Sequence, residues 1–288
     1  MAPRTLAILG GSGLYAMADL TRVEEHRVTT PFGEPSDAVV SGYVGDTRLL
    51  FLPRHGRGHR VAPHEINYRA NIFALKALGA EQLVSVSAVG SLREDIAPGE
   101  LVVVDQYIDR TWHRRGTFFE GAGVVAHVSL ADPTDAALRT ALVAAATKAG
   151  GKVWDKGTYV CIEGPQFSTR AESHLYRSWG ASVIGMTSVP EVRLAREAEL
   201  PFSTLALVTD YDCWRDEGEH VTVGAVVEVM KQNVNLAQNA IRNLAATLPD
   251  PAKSPATRAL DGAVMTDPAL ISKEARERFA PLLQKYFK

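Results

Sequence analysis

Short apolar runs that alternate with stretches of helical period constrain this chain more than any other feature. Residues 5–9, 48–52, 83–88, 101–104, 158–162, 183–184 and 202–208 are short apolar runs that read as strands. Between them, residues 64–78 place Ile66, Ala70, Phe73, Ala74 and Ala77 at helical spacing, and residues 135–149, 170–179 and 190–199 share that character. Val223, Val226, Val227, Met230, Val234, Ala237, Ile241 and Leu244 form one stripe of a long helix. Alternation of this kind predicts an α/β architecture around one largely buried sheet. Leu248-Pro249-Asp250-Pro251, followed by Ser254-Pro255, breaks the long helix. Residues 1–248 are therefore expected to form the domain, with 249–288 a C-terminal extension that is partly helical from Ser272.

Composition removes whole classes of function. A formal net charge of -2 leaves no basic excess for nucleic acid. No stretch reaches the roughly 20 apolar residues that span a bilayer. The two cysteines, Cys161 and Cys213, do not make a disulfide framework. Residues 1–11 lack the apolar region and small-residue cleavage site of a secretory signal, so the expected location is cytoplasmic.

Several polar segments follow strands. Gly10-Gly11-Ser12-Gly13 lets backbone amides approach an anion, with the Ser12 hydroxyl as a further donor. The same segment fits the loose dinucleotide fingerprint G-x-G-x-x-A, which requires a sustained helix next, and it also fits a plain turn. Arg54-His55-Gly56-Arg57 offers a guanidinium fork and an imidazole to a small anion, or else a solvated basic loop. Ser85-Val86-Ser87-Ala88 ends another strand, where α/β sheets bind ligands, though a polar strand-to-loop junction reads the same way. Phe167, after Glu163-Gly164-Pro165-Gln166, is either a ring that stacks on a flat heterocycle or a core anchor.

Thr209-Asp210-Tyr211-Asp212 is the most informative segment. Two carboxylates two residues apart point the same way if the strand continues. One can stay protonated beside its ionised neighbour, which suits the imidazole edge and amino group of adenine. Helix capping and a metal site are the alternatives, and the latter lacks nearby ligands. Together the segments describe a pocket for a small anion beside a flat polar heterocycle.

At this point the sequence resembles the methylthioadenosine phosphorylases, within the trimeric purine nucleoside phosphorylases. The segments that carry the resemblance include Gly10-Gly11-Ser12-Gly13-Leu14, Thr30-Pro31-Phe32-Gly33-Glu34-Pro35, Arg54-His55-Gly56-Arg57, Asn67-Tyr68-Arg69-Ala70-Asn71 and Gly90-Ser91-Leu92-Arg93-Glu94. They continue with Glu163-Gly164-Pro165-Gln166-Phe167-Ser168, Gly185-Met186-Thr187-Ser188-Val189-Pro190-Glu191 and Thr209-Asp210-Tyr211-Asp212-Cys213-Trp214. The match is colinear from about residue 6 to about residue 247.

The resemblance implies a single domain with a central twisted mixed β-sheet flanked by helices. It implies phosphorolysis of methylthioadenosine to adenine and 5-methylthioribose 1-phosphate, in purine and methionine salvage. Broader nucleoside cleavage, of adenosine, inosine or methylthioinosine, is the alternative. No metal or organic cofactor is expected, inorganic phosphate being a co-substrate. The partners expected are small molecules and two further copies of the chain in a homotrimer, with sites near subunit interfaces. Phosphate falls to Ser12, Arg54, His55, Ser87, Ala88 through its backbone, and Thr187. Met186 lies against the ribose, Phe167 and Ser168 border base and sugar, and Tyr211, between the two carboxylates, also binds the substrate. Asp210, the catalytic acid, faces purine N7, and Asp212 the 6-amino group. Val223 shapes the 5' pocket, and His127 resembles a histidine that reaches a neighbouring subunit's 5' pocket. Ser12 and Ser87 stand where threonine is common, Gln166 where arginine is frequent, and the segment from Pro249 onward lacks a clear counterpart.

Three other functions fit part of the pattern. A water-using nucleosidase has no need of the Arg54-His55 loop. A non-catalytic nucleoside-binding module has no use for a second carboxyl poised to donate a proton. A dinucleotide-dependent oxidoreductase requires the helix after Gly13.

Overall fold

A computed structural model of the chain describes residues 4–215 and 223–286. Its strands are β1 (Thr5–Gly10), β2 (Thr21–His26), β3 (Val39–Val44), β4 (Thr47–Pro53), β5 (Gln82–Ser91), β6 (Leu101–Val104), β7 (Gln106–Arg110), β8 (Val153–Trp154), β9 (Thr158–Ile162), β10 (Val183–Gly185) and β11 (Phe202–Asp210). Its helices are α1 (Tyr68–Ala77), α2 (Ala136–Lys148), α3 (Arg170–Ser178), α4 (Ser188–Glu197), α5 (Val223–Ala246), α6 (Lys273–Arg278) and α7 (Ala280–Leu283). Every apolar run became a strand. Helix starts follow local chemistry: Asn67 caps α1, Asp135 caps α2, and Thr169 with Glu172 forms a reciprocal cap on α3.

Four strands lack the apolar signature. β2 is almost wholly exposed at the sheet edge, and β7 is half-buried and polar. β3 reads Val-Val-Ser-Gly-Tyr-Val, interrupted by its serine and glycine, and β8 is two residues long. After Gly11 the chain makes a short 3-10 turn over Ser12–Tyr15 and then enters β2, so the helix that a dinucleotide fold requires is not formed there.

The sheet runs β2-β3-β4-β1-β5-β10-β9-β7, with β11 alongside β5, then β6 and β8. It is mixed: β1 is parallel to β4 and β5, whereas β10 is antiparallel to β5. Adjacent residues of β1 enter opposite cores. Leu6 and Ile8 pack with Leu138, Leu142, Ile241 and Leu244, so α2 and α5 cover that face. Ala7 and Leu9 belong with Ile72, Phe73, Leu194 and Phe279, so α1, α4 and the C-terminal segment cover the other. Burial on both faces is why these strands read as continuous apolar runs.

The pairing along β5 has one irregularity. β11 runs along one edge of β5 from Leu83 to Gly90. On the opposite edge β1 pairs only as far as Ser85, and β10 begins at Gly90. Residues 86–89 are left between, with no strand beside them on that edge.

The segment beyond Pro249 is anchored in the main core. Leu260, Ile271, Phe279, Leu282 and Leu283 are buried there, and Phe279 meets Phe119 edge-on at 5.4 Å between ring centres. Buried Glu199 accepts from Leu260 N at 3.1 Å and Lys285 Nζ at 2.6 Å, and from the Tyr286 hydroxyl. Truncating a fully buried phenylalanine removes transfer energy and leaves a cavity. Phe279→Ala is expected to lower stability by about 3–5 kcal/mol in urea unfolding. A loss under about 0.5 kcal/mol, the range of surface substitutions, would mean the segment merely lies on the surface.

Candidate active site

The break in the edge of β5 is filled by side chains. The Arg54 guanidinium, almost completely buried, donates to Leu9 O at 3.0 Å and Val86 O at 3.1 Å. It also donates to Ser85 Oγ at 2.8 Å and grips Glu191 through both Nε and Nη2. Glu191 is fully buried and takes a further hydrogen bond from Ser85 Oγ at 2.7 Å. Burial works against the charge on Arg54, but the facing Glu191 outweighs it and raises its pKa. Of the five guanidinium hydrogens, one on Nη1 is left without a partner among the described residues. The fork is closed on Glu191.

Beyond Arg54, the Ser87 hydroxyl lies 3.1 Å from Thr187 Oγ1 and 3.3 Å from the Tyr159 hydroxyl. Ser87 and Ala88 fall in the unpaired stretch of β5, and Thr187 stands at the N-terminus of α4. His55 follows Arg54, and its Nδ1 is 2.8 Å from Val61 O. A carbonyl only accepts, so Nδ1 carries the hydrogen and Nε2 of the neutral ring is an acceptor. Burial, then the Arg54 charge, pushes His55 down to about 4.

The other end of the site forms where β11 stops. The pairing with β5 slips between Val208 and Asp210, and Asp212 takes a left-handed backbone at φ 53°. Strand alternation therefore does not align the two carboxylates; a turn does. Asp212 N donates to Asp210 Oδ1 at 2.7 Å, and both side chains crowd over Gly90. A Cβ at position 90 would sit 2.9 Å from Asp210 Oδ1 and 3.2 Å from Asp212 Cβ, so glycine is required there. Asp212 Oδ2 accepts from the buried Ser173 hydroxyl. Burial raises the pKa of both carboxyls; hydrogen bonds from Thr209 and from Asp212 N oppose this at Asp210.

The remaining candidates have local contacts of their own. Ser168 O accepts from Cys213 Sγ at 3.2 Å, while Ser168 Oγ is buried with no partner among the described residues. Phe167 is 50% exposed, which fits the stacking alternative better than the core anchor. Met186 packs on Gly164, where a Cβ would stand 2.7 Å from its sulfur. Tyr211 is half-buried, edge-on to Trp214 and beneath the Arg215 guanidinium. His127 stands apart, on a segment where its own N–H donates to Ala263 O at 2.8 Å. The side chains of Ser12 and Val223 lie outside the described residues.

Arg114 was given no role by its sequence context. Its side chain is 1% exposed. It donates to Met186 O and Val189 O at 2.7 Å, Glu163 O at 2.6 Å and the Tyr68 hydroxyl at 2.9 Å, and pairs with the Glu163 carboxylate. It thereby ties the loop that carries Phe167 to the one that carries Met186 and Thr187. Glu163 and Glu191 sit inside recognisable motifs, but their arginine partners are far away in sequence.

The chain matches the Phosphorylase superfamily over residues 5–246. It is 51% identical over 283 residues to the S-methyl-5'-thioadenosine phosphorylase of Geobacter sulfurreducens, covering 98% of this chain and 99% of that one. It is 52% identical over 288 residues to the enzyme of the same name from Chloroflexus aurantiacus, covering 100% of both. A crystal structure of a methylthioadenosine phosphorylase from an antarctic soil metagenomic library superimposes with a TM-score of 0.92 at 47% identity, covering 98% of this chain and 100% of that one. These matches run through the segment after Pro249, which therefore has a counterpart in its relatives, contrary to the expectation from motifs alone.

The imidazole environment has a measurable consequence. His55 is expected to titrate near pH 4 by NMR in the phosphate-free protein. Because its folded pKa lies below the unfolded value, the unfolded chain binds the proton first, and stability falls as pH drops from about 6.5 toward 4. Titration at the ordinary value near 6.5 would show that neither burial nor Arg54 acts on the ring.

Proposed function

The chain belongs to the Phosphorylase superfamily, and from that premise we propose that it cleaves S-methyl-5'-thioadenosine with phosphate, giving adenine and 5-methylthioribose 1-phosphate. One observation carries the assignment of roles. Ser87, in the anion corner, and Gly90, beneath the carboxylates, are three residues apart on one strand, roughly 10 Å. That span suits a nucleoside whose anomeric carbon faces phosphate while its purine reaches the acids.

The glycosidic bond stretches first, its electron pair passing to the purine and leaving oxocarbenium character on the sugar. Phosphate bonds to the anomeric carbon from the opposite face. Ser87, Thr187, the Ala88 backbone and the free Nη1 hydrogen of Arg54 hold the anion, supplying proximity and electrostatic stabilisation. Ser12 joins them by resemblance. At neutral pH His55 takes a hydrogen from a protonated phosphate oxygen through Nε2. Asp210, whose hold on a proton burial strengthens, gives its proton to N7, so adenine leaves neutral. Asp212, oriented by Ser173, accepts from the 6-amino group. Ser168 Oγ, Phe167, Tyr211 and Met186 border base and sugar, and Val223 the 5' group. The reaction needs no organic cofactor or metal, and it belongs to purine and methionine salvage in the cytoplasm.

A homotrimer completes the reading. His127 is flanked by Val125 and by Met265, whose N–H joins Val125 O at 2.8 Å. These side chains are 51% and 65% exposed, an apolar surface that a neighbouring subunit would cover. Sedimentation is expected to give three times the chain mass; a monomer at assay concentration would detach His127 from any site.

Adenine release is expected to require phosphate, and release at the same rate in phosphate-free buffer would favour a nucleosidase. Asp210→Asn is expected to lower kcat/KM for methylthioadenosine by at least about 10²-fold. Unchanged turnover would remove Asp210 from the chemistry.

A further inference from the structure

Thr209 is buried at the end of β11, one residue before the acid, and its hydroxyl has two partners. It lies 2.7 Å from Asp210 Oδ2 and 3.2 Å from Val89 O. A hydroxyl has one hydrogen, so it cannot donate to both at once. Val89 O can only accept. Asp210 Oδ2 accepts when ionised and donates when protonated. Two arrangements are therefore open to the hydroxyl. With the carboxyl protonated on Oδ2, that oxygen donates to Thr209 Oγ1, and Thr209 donates to Val89 O. With the carboxyl ionised, the threonine hydrogen swings to Oδ2.

We propose that Thr209 is a positioning residue whose hydroxyl switches from Val89 O to Asp210 as the acid gives up its proton. The inference rests on the role of Asp210 proposed above. The balance is simple. The carbon–nitrogen bond breaks and its electrons enter the purine; the carboxyl proton turns from Thr209 Oγ1 to N7 and stays there; the negative charge left on Asp210 is met by the hydroxyl hydrogen, which leaves Val89 O. A hydrogen bond to an ion is stronger than one between neutral groups, so the contact gains strength as the proton leaves. Only interactions that strengthen on the way to the transition state speed the chemical step.

The surroundings leave this hydroxyl a distinct part. The titratable groups near the acid among the described residues are Asp212 on the same segment, Cys213 next to it, and Glu172 and Arg170 on α3. Arg170, the cation among them, bears on Cys213, whereas the influences on Asp210 itself are burial, the Thr209 hydroxyl and Asp212 N. β5 and β10 contribute Val89, Gly90 and Ile184. The other fixed donor to Asp210 is Asp212 N, whose hydrogen cannot leave when the carboxyl is neutral.

Thr209→Val keeps the branched shape in a buried strand and removes the hydroxyl. It is expected to lower kcat roughly 10- to 100-fold with the KM for methylthioadenosine unchanged, the signature of a contact made in the transition state. The ionised acid loses more than the neutral one, so the alkaline limb of the kcat/KM profile moves up by about 1 pH unit. Thr209→Ser restores the hydroxyl and is expected to return both quantities toward the wild-type values. Thr209→Ala gives the same readout if the valine variant does not fold. A hydroxyl-free variant with unchanged kcat and limb, or one that changes KM alone, overturns the proposal while Asp210→Asn remains impaired. If Asp210→Asn is itself unimpaired, the role of Asp210 and the switch fall together.

Discussion

The site depends on how the buried pair of Arg54 and Glu191 closes a break in the sheet. Where β1 ends and β10 has not begun, Leu9 O and Val86 O both accept from the Arg54 guanidinium. Buried carbonyls without donors are costly, and so is a buried guanidinium without a carboxylate. Glu191 and Ser85 complete the network. Removing one partner of such a pair costs about 3–5 kcal/mol, whereas the intact pair adds little net stability. Its worth is geometric. It ties the end of β4 to β5 and to α4, the elements that carry Ser87 and Thr187.

The second end obeys a different rule. Asp210 and Asp212 share a corner because the chain turns back at Asp212 and a glycine in β5 lets both approach. Burial raises the proton affinity of both acids, and their hydrogen bonds pull the other way. The two ends are rigidly spaced because both are built on β5. Arg114 fixes the segment of Glu163 against that of Met186 and Val189.

Much of the fold was legible because strands buried on both faces leave continuous apolar runs. β1, β4, β6, β9 and β11 are of this kind. β2 and β7 were not, because an exposed or half-buried edge strand carries no such pattern. Phe279 looks ordinary in a charged stretch, yet it packs beside Phe32 and Phe119; no periodicity announces an anchor contributed by a short segment. The polar segments of the site were legible as strand-end loops and as family motifs. Their connections were less so. Arg54 and Glu191 are separated by 137 positions, and Arg114 and Met186 by 72, so nothing local joins them. The carboxylate pair was found for a reason only half right, since alternation along a strand gives way to a turn at Asp212.

The central claim is that one pocket holds an inorganic anion opposite a purine that Asp210 can protonate. A crystal structure with phosphate and an uncleavable analogue of methylthioadenosine tests it most directly. The account predicts phosphate against Ser87, Thr187 and the free Nη1 hydrogen of Arg54, with purine N7 within hydrogen-bond reach of Asp210. A purine bound away from Asp210, or phosphate remote from Arg54, would contradict it.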